Sequence, residues 1–384
     1  MKKILLLLQS AFLLTSLTSC IQDEALNAEC DIESVEQAWL ATHQDILKSQ
    51  PIVTNEHVSF FINKGADRSA LDPRFNLTEG ASITMLKDGA EVEANGAVRD
   101  FSSPQTYIVH SQDGCWSKNY TVSFSFPQPI SLMGFEHFEL DKTGRYHEWH
   151  EVDATDPENP KRDYWSSGNP GFAMTGRGKT FDAYPTMSDP LGYQGNCVRL
   201  ITRSTGSFGD LVHMPIAAGN IFIGTFDTKK ALGAPREATH FGLKLVGGKP
   251  VSLDGYYKYK AGETFTDVNK KVHPELHDTA DIYAVVYEVE PDTTAFEPLN
   301  GNDVLSSPRI VMMARIANPG EPAEWTHFSE PFRLMPGKEW SEERLRHDGY
   351  AIAVVATSSR QGAYFSGAIG SELWVDELKV NWEE

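Results

Sequence analysis

The chain has 384 residues, 40% hydrophobic and 23% charged, which suits packed cores and argues against disorder. Its formal net charge of −19 speaks against nucleic acid and against adhesion to anionic lipid. The length predicts two or three domains, and only the first residues are apolar enough to suggest a membrane. There, Lys2 and Lys3 lead into an apolar run from Ile4 to Leu14. That run is shorter than the roughly 20 residues a bilayer span needs, so it predicts a cleavable export signal over 1–19. Leu17-Thr18-Ser19-Cys20 follows, then Gln22, Asp23 and Glu24.

The Leu-Thr-Ser-Cys tetrad resembles a bacterial lipobox, in which small residues admit the peptidase and the cysteine sulfur is acylated. The resemblance implies a lipid on Cys20, which anchors the chain to a membrane, with a tether over 20–30. The acidic residues behind it resemble the surface-export tag of lipoproteins in glycan-foraging gram-negative gut bacteria. They imply an outer-membrane lipoprotein exposed at the cell surface. With Cys20 lipidated, Cys30, Cys115 and Cys197 remain in an oxidising compartment, and at least one stays unpaired. A Cys30–Cys115 bridge is open, as is its absence.

From 31 to 50, Ile32, Val35, Trp39, Ile46 and Leu47 fall at helical spacings before Pro51, predicting a short helix or irregular packing segment. The period then shortens to two. Strands are expected at Val58–Ile62, Ala81–Leu86, Thr106–His110 and Tyr120–Phe126, with a hairpin at Asp113-Gly114. These make a small β-sandwich over 31–127. The runs Gly80–Thr84, Asp100–Tyr107, Ser111–Gly114 and Lys118–Val122 resemble immunoglobulin-like modules, which act as spacers behind the lipid of such lipoproteins. Pro127 and Pro129 mark the boundary.

Residues 130–384 hold eight further expected strands: Met133–Leu140, Val198–Thr202, Asn220–Phe226, Val251–Tyr259, Asp281–Val289, Ile310–Ile316, Tyr350–Thr357 and Leu373–Trp382. No crossover helices lie between them, so pairing is antiparallel and the second domain is a larger sandwich or jelly roll. The fold class is therefore all-β throughout. Its long loops, 151–196, 228–249 and 291–308, are where binding residues belong.

Two carboxylates stand on strand faces otherwise apolar. Glu136 shares a face with Phe138 and Leu140, and Asp376 with Trp374, Leu378 and Val380, so each needs hydrogen bonds, a partner or a metal. The Phe135-Glu136 pair, Trp149 and Val375-Asp376-Glu377 are similar to galactose-binding-like carbohydrate modules. That similarity implies a structural Ca²⁺ held by Glu136 and Asp376; carboxylates satisfied by backbone donors are the plainer outcome.

The aromatic signal is Tyr164-Trp165 with Asn169 in one loop, and Tyr257 and Tyr259 on one face of a strand, Tyr256 and Lys258 on the other. Pyranose C–H faces pack on such rings while amides read the hydroxyls. Ala217–Phe226, Leu253–Gly262, Ser358–Gly362, Phe365–Gly367 and Gly370-Ser371 resemble the putative carbohydrate metabolism domain of surface lipoproteins. The family resemblance covers most of 130–384 and implies a jelly roll linked to glycans, without known catalytic residues.

Catalytic signals are weak. Asp254, Glu263, Asp281 and Glu288 are available to a glycosidase, but nothing in the sequence pairs them. Pro274 interrupts His273-Pro274-Glu275-Leu276-His277, and Gly176–Thr180 lacks a phosphate loop's context. The sequence thus predicts a jelly roll that binds a neutral polysaccharide or host glycan through Trp165, Tyr164, Asn169, Tyr257 and Tyr259. A glycoside hydrolase or lyase, and an adhesin meeting a protein partner, are the alternatives.

Overall fold

The computed structural model describes residues 26–383 apart from 48–49, 64–65, 88, 126–131, 154–155, 245, 292 and 294–295. The export signal, Cys20 and the Pro127–Pro129 boundary lie outside the described residues. The chain forms two compact units, one running to Ser125 and one from Phe126, with Asn63–Gly65 counted in the second.

In the first unit a mixed sheet of six strands runs in the order Ile52–Val53, His57–Phe61, Ser117–Ser125, Gln105–His110, Ser82–Lys87, Ala90–Glu93. His57–Phe61 pairs parallel to Ser117–Ser125, and every other pair is antiparallel. Alternation sets the inner face: Val58, Phe60, Tyr107, Val109, Tyr120, Val122 and Phe124 are buried, and Phe60 stacks on Phe124 at 4.1 Å. The expected hairpin is present, with Gly114 at φ 69° in its turn. The segment over 31–50, expected to be a short helix or irregular packing segment, holds a strand and a short helix. Ile32–Val35 is a strand paired with Phe75–Leu77, and only Gln37–Thr42 is helical. Its β-branched residues at 32 and 35 meet an open strand edge, and tertiary pairing overrides the spacing. Cys30, Cys115 and Cys197 are free thiols.

The second unit is an antiparallel sandwich. One sheet has seven strands, ordered Trp165–Ser166, Asn220–Phe226, Tyr350–Thr357, Asp281–Glu288, Ile310–Arg315, Arg333–Leu334, with Thr239–Phe241 also beside Asn220–Phe226. The other has six, ordered Thr186–Asp189, Cys197–Ile201, Glu372–Trp382, Pro250–Lys260, Thr326–Pro331, with Leu132–Met133 beside Glu372–Trp382. The inner faces share one core, including Leu200, Ile221, Leu253, Ile282, Val286, Val311, Val354 and Leu373. The seven-stranded sheet buries its outer face too: Phe222, Tyr283, Val285, Tyr287 and Val355 pack beneath long loops. Asp281–Glu288 and Tyr350–Thr357 accordingly read as nearly continuous apolar runs. Gly224 sits at φ 141°, where a Cβ would lie 2.0 Å from the His240 carbonyl, so only glycine closes that pairing.

The expected strand Met133–Leu140 is broken. Phe135 adopts φ 56° and leaves two short strands, Leu132–Met133 and Phe138–Leu140, with Glu136 exposed between them. The last strand carries a bulge opposite Gly255, with Glu377 at φ 51°. The bulge shifts the alternation, so Leu373, Val375, Leu378 and Val380 face the core while Trp374 and Asp376 face outward. The shared face inferred for Asp376, Leu378 and Val380 is corrected by that one extra residue.

Candidate functional site

The aromatic residues chosen from the sequence lie inside the protein. Tyr257 and Tyr259 belong to the sandwich core, donating their hydroxyls to the carbonyls of Pro319 at 2.6 Å and Ser358 at 3.2 Å. Tyr164 is 3% exposed, and Asn169 is fully buried, its amide exchanging bonds with the Thr186 backbone. Trp165 is 6% exposed, packs on Phe135 and donates its indole N–H to Glu151 at 2.6 Å. Their rings meet protein where the sequence reading had them meet sugar, because alternation and an apolar neighbourhood draw strand aromatics inward. Burial lifts the Glu151 carboxyl to about 7.

A cavity of about 350 Å³ forms a groove over the outer face of the seven-stranded sheet. Phe222 and Tyr283 form part of its floor, and its walls come from the helix Gly206–Leu211, from 231–239, from 301–306 and from 359–365. Two of these segments belong to loops the sequence marked as long. Phe208, Phe226 and Tyr364 are only partly covered, and the Arg236 guanidinium lies 5.0 Å from the Tyr364 ring centre. Asn302 and Ser306 add exposed polar groups at the rim.

Among the described lining residues the groove contains one carboxylate, Asp281, at its floor. Arg315 holds it with two bonds of 2.8 and 2.7 Å, and Arg360 approaches to 3.6 Å. The wall segment 359–371 is fastened by Asp278, itself buried. Its Oδ2 accepts from Ser359 Oγ at 2.5 Å, the Ala368 N–H at 2.7 Å and Ser371 Oγ at 2.8 Å, while Oδ1 accepts the Thr279 N–H. The Thr202 hydroxyl is bonded to those of Ser358 and Ser359 and ties the same segment to the six-stranded side.

A second cavity of about 320 Å³ is polar. It lies across the helix Asn169–Ala173 from the groove, and the two cavities share Phe226. His147, Glu148, Trp149, His150, Arg162, Asp163, Trp165, Ser166 and Ser167 line it. His147 accepts the Ser188 N–H at Nδ1, which leaves its proton on Nε2. The loop singled out through Trp165 thus borders a cavity, though with different groups from those expected.

Glu136 and Asp376 do come together, on one loop. Glu136 accepts from the Asn196 N–H and side-chain amide, and Asp376 from the N–H groups of Gln194 and Glu377. Burial raises Asp376 to about 6. Their oxygens are satisfied by these donors, and no group of three or more acidic, His or Cys side chains among the described residues is arranged to hold a metal. The donor set does not fit the Ca²⁺ site that the resemblance implied. Of the other acids and histidines, Asp254 is bonded to Ser329 and Asn381, Glu288 pairs with Lys338, and His273 bonds Asp267 and Glu275.

The outer face of the six-stranded sheet carries its own aromatics. Arg199, Trp374 and Lys258 lie in register, and cations cover the Trp374 ring at 5.1 Å from both neighbours. Lys258 also sits 4.7 Å from Trp325, and Tyr193 stacks on Tyr256 at 3.6 Å.

The profile of the family described as putative carbohydrate metabolism domain matches residues 134–381, and that described as SGBP, N-terminal, the N-terminal domain of surface glycan-binding proteins, matches 45–124. A crystal structure described as a putative glycoside hydrolase from Bacteroides thetaiotaomicron VPI-5482 is 40% identical, with a TM-score of 0.62. The match covers 94% of this chain and 99% of that one. Another so described, from Bacteroides vulgatus ATCC 8482, is 36% identical with a TM-score of 0.59, covering 67% of this chain and all of the other. No curated protein matches. The SGBP module places the chain at the cell surface in a glycan-related role. With most of its second unit matched and its β-sandwich shared, the chain belongs to the putative carbohydrate metabolism domain family.

Proposed function

We propose that the chain is a lipid-anchored surface protein, held in the outer membrane through Cys20, whose jelly roll binds a neutral polysaccharide or host glycan in the groove. The observation that carries this reading is a groove with partly open aromatic walls whose one carboxylate among the described lining residues is bonded by Arg315 and approached by Arg360. Phe208, Phe226 and Tyr364 offer surfaces to pyranose C–H faces, and Arg236, Asn302 and Ser306 offer groups to the hydroxyls. A glycosidase needs two carboxylates roughly 5–10 Å apart. Asp281 has no such companion among the described groove residues, and both of its oxygens already accept from Arg315. Binding without turnover is therefore the reading that fits this cavity.

A glycan-array screen of the chain beginning after Cys20, followed by titration of the best hit, tests it. Tyr364→Ala and Phe208→Ala are each expected to weaken binding roughly five- to thirtyfold, from stacking worth about 1–2 kcal/mol. Undiminished affinity in both variants would remove the groove from the site. Release of reducing sugar from the bound glycan would convert the reading to hydrolysis.

A further inference from the structure

Resting on the glycan reading of the groove, we infer which glycan it selects: one whose sugar carries a methyl group, as a 6-deoxy sugar or an acetylated one, with that methyl set between the apolar walls. The inference starts from how the polar side chains of the lining are already engaged. The Thr175 hydroxyl donates to the Phe172 carbonyl at 2.7 Å, that of Thr205 to Met214 at 2.5 Å and that of Thr239 to Arg236 at 3.2 Å. Asn220 accepts the Gly168 N–H and donates to the Ala218 carbonyl, and Ser359 donates to Asp278. All five line the groove, yet their hydrogen bonds run into the protein. A sugar hydroxyl pushed among them would leave water for few partners, which is costly.

Between those side chains the lining is apolar. Val212, Met214 and Leu305 are half-buried there, and Phe208, Leu232 and Tyr364 keep 36, 40 and 57% of their surface exposed. Exposed apolar side chains scattered singly need no explanation, but three around one cavity mark a surface that a ligand covers. A plain hexose offers only its C–H faces, and a ring stacked on Tyr364 leaves Leu232 and Val212 to meet hydroxyls. A methyl meets them without that cost. In a 6-deoxy sugar the C6 hydroxyl is gone and a methyl stands in its place. In an acetylated sugar the methyl lies beyond a carbonyl, which can accept from the Arg236 guanidinium. Either way the hydroxyl-rich remainder falls to the rim, where Arg236, Asn302 and Ser306 stand.

The test titrates the full chain after Cys20 by NMR with matched pairs of sugars that differ in the methyl-bearing group. L-Fucose is set against L-galactose and L-rhamnose against L-mannose for the 6-deoxy arm, and N-acetylglucosamine against glucose for the acetyl arm. The expected result is that the methyl-bearing member of at least one pair binds roughly tenfold tighter or more, the scale on which an apolar pocket reads one carbon. Leu232→Asn and Val212→Thr place polar groups in the wall at positions that are not fully buried, and each should shrink that preference several-fold. Two results would overturn the inference alone: equal affinity within every pair while Tyr364→Ala weakens both members, or a preference undiminished in both wall variants. Either would leave the groove a glycan site of another selectivity. No binding of any sugar, with no hit on the glycan array, would overturn this inference and the glycan reading together.

Discussion

The two outer faces of the sandwich begin from the same alternating strands and end in different states. On the six-stranded sheet the aromatics face outward and are finished by their own neighbours: Trp374 lies between Arg199 and Lys258, and Tyr193 covers Tyr256. On the seven-stranded sheet Phe222, Tyr283 and Val355 lie beneath loops that fail to fill the space above them, and the groove is what remains. An outward ring is thus a poor guide to a ligand platform when neighbours on both adjacent strands already flank it, as Arg199 and Lys258 flank Trp374. A face roofed by long loops is the better one.

The sharpest break of that contrast is Asp278→Ala, which would leave Ser359, Ser371 and the Ala368 N–H without their buried acceptor. We expect a loss of about 3 kcal/mol or more in denaturant unfolding, together with weakened glycan binding. A loss below about 1 kcal/mol would show that the groove wall is held by something else.

Next comes Glu151, whose carboxyl is lifted by burial from 4.5 to about 7. The folded state keeps a proton that the unfolded state gives up, so this contribution is whole below pH 4.5. It is lost as pH rises through about 7, by up to about 3 kcal/mol, and Glu151→Gln should flatten that slope while keeping an acceptor for Trp165. An unchanged pH profile in the variant would count against the buried proton.

Trp374→Ala should cost about 1–2 kcal/mol through its cation–π partners and leave glycan affinity alone, the converse of Tyr364→Ala. Weakened binding there would bring the six-stranded face into recognition. The smallest expected effect is that of EDTA. With Glu136 and Asp376 bonded to Asn196 and Gln194, the melting temperature should not move; a clear fall would reinstate Ca²⁺ at that loop.

Much of this architecture was legible in the sequence. Asn220–Phe226 and Tyr350–Thr357 were read to the residue, because long apolar runs between turn residues leave few alternatives. What escaped was set by single backbone angles. Nothing in Phe135 or Glu377 announces a positive φ, yet those two residues break one strand, bulge another and decide where Glu136 and Asp376 point. The site was harder still. Trp165, read as a loop residue, lies in the short strand Trp165–Ser166 paired with Asn220–Phe226, and its burial depends on Phe135 and Glu151, residues 30 and 14 positions away. The groove gathers Phe208, Arg236, Ser306 and Tyr364 from four separate segments, and no local pattern joins them.

Asp278 grips residues 359, 368 and 371 at once, which turns the wall segment carrying Tyr364 from an open span into a closed ring of about a dozen residues. The ordering entropy of that ring is settled when the protein folds. A ligand arriving at Tyr364 therefore meets a surface already set, and its affinity should reflect contact more than capture.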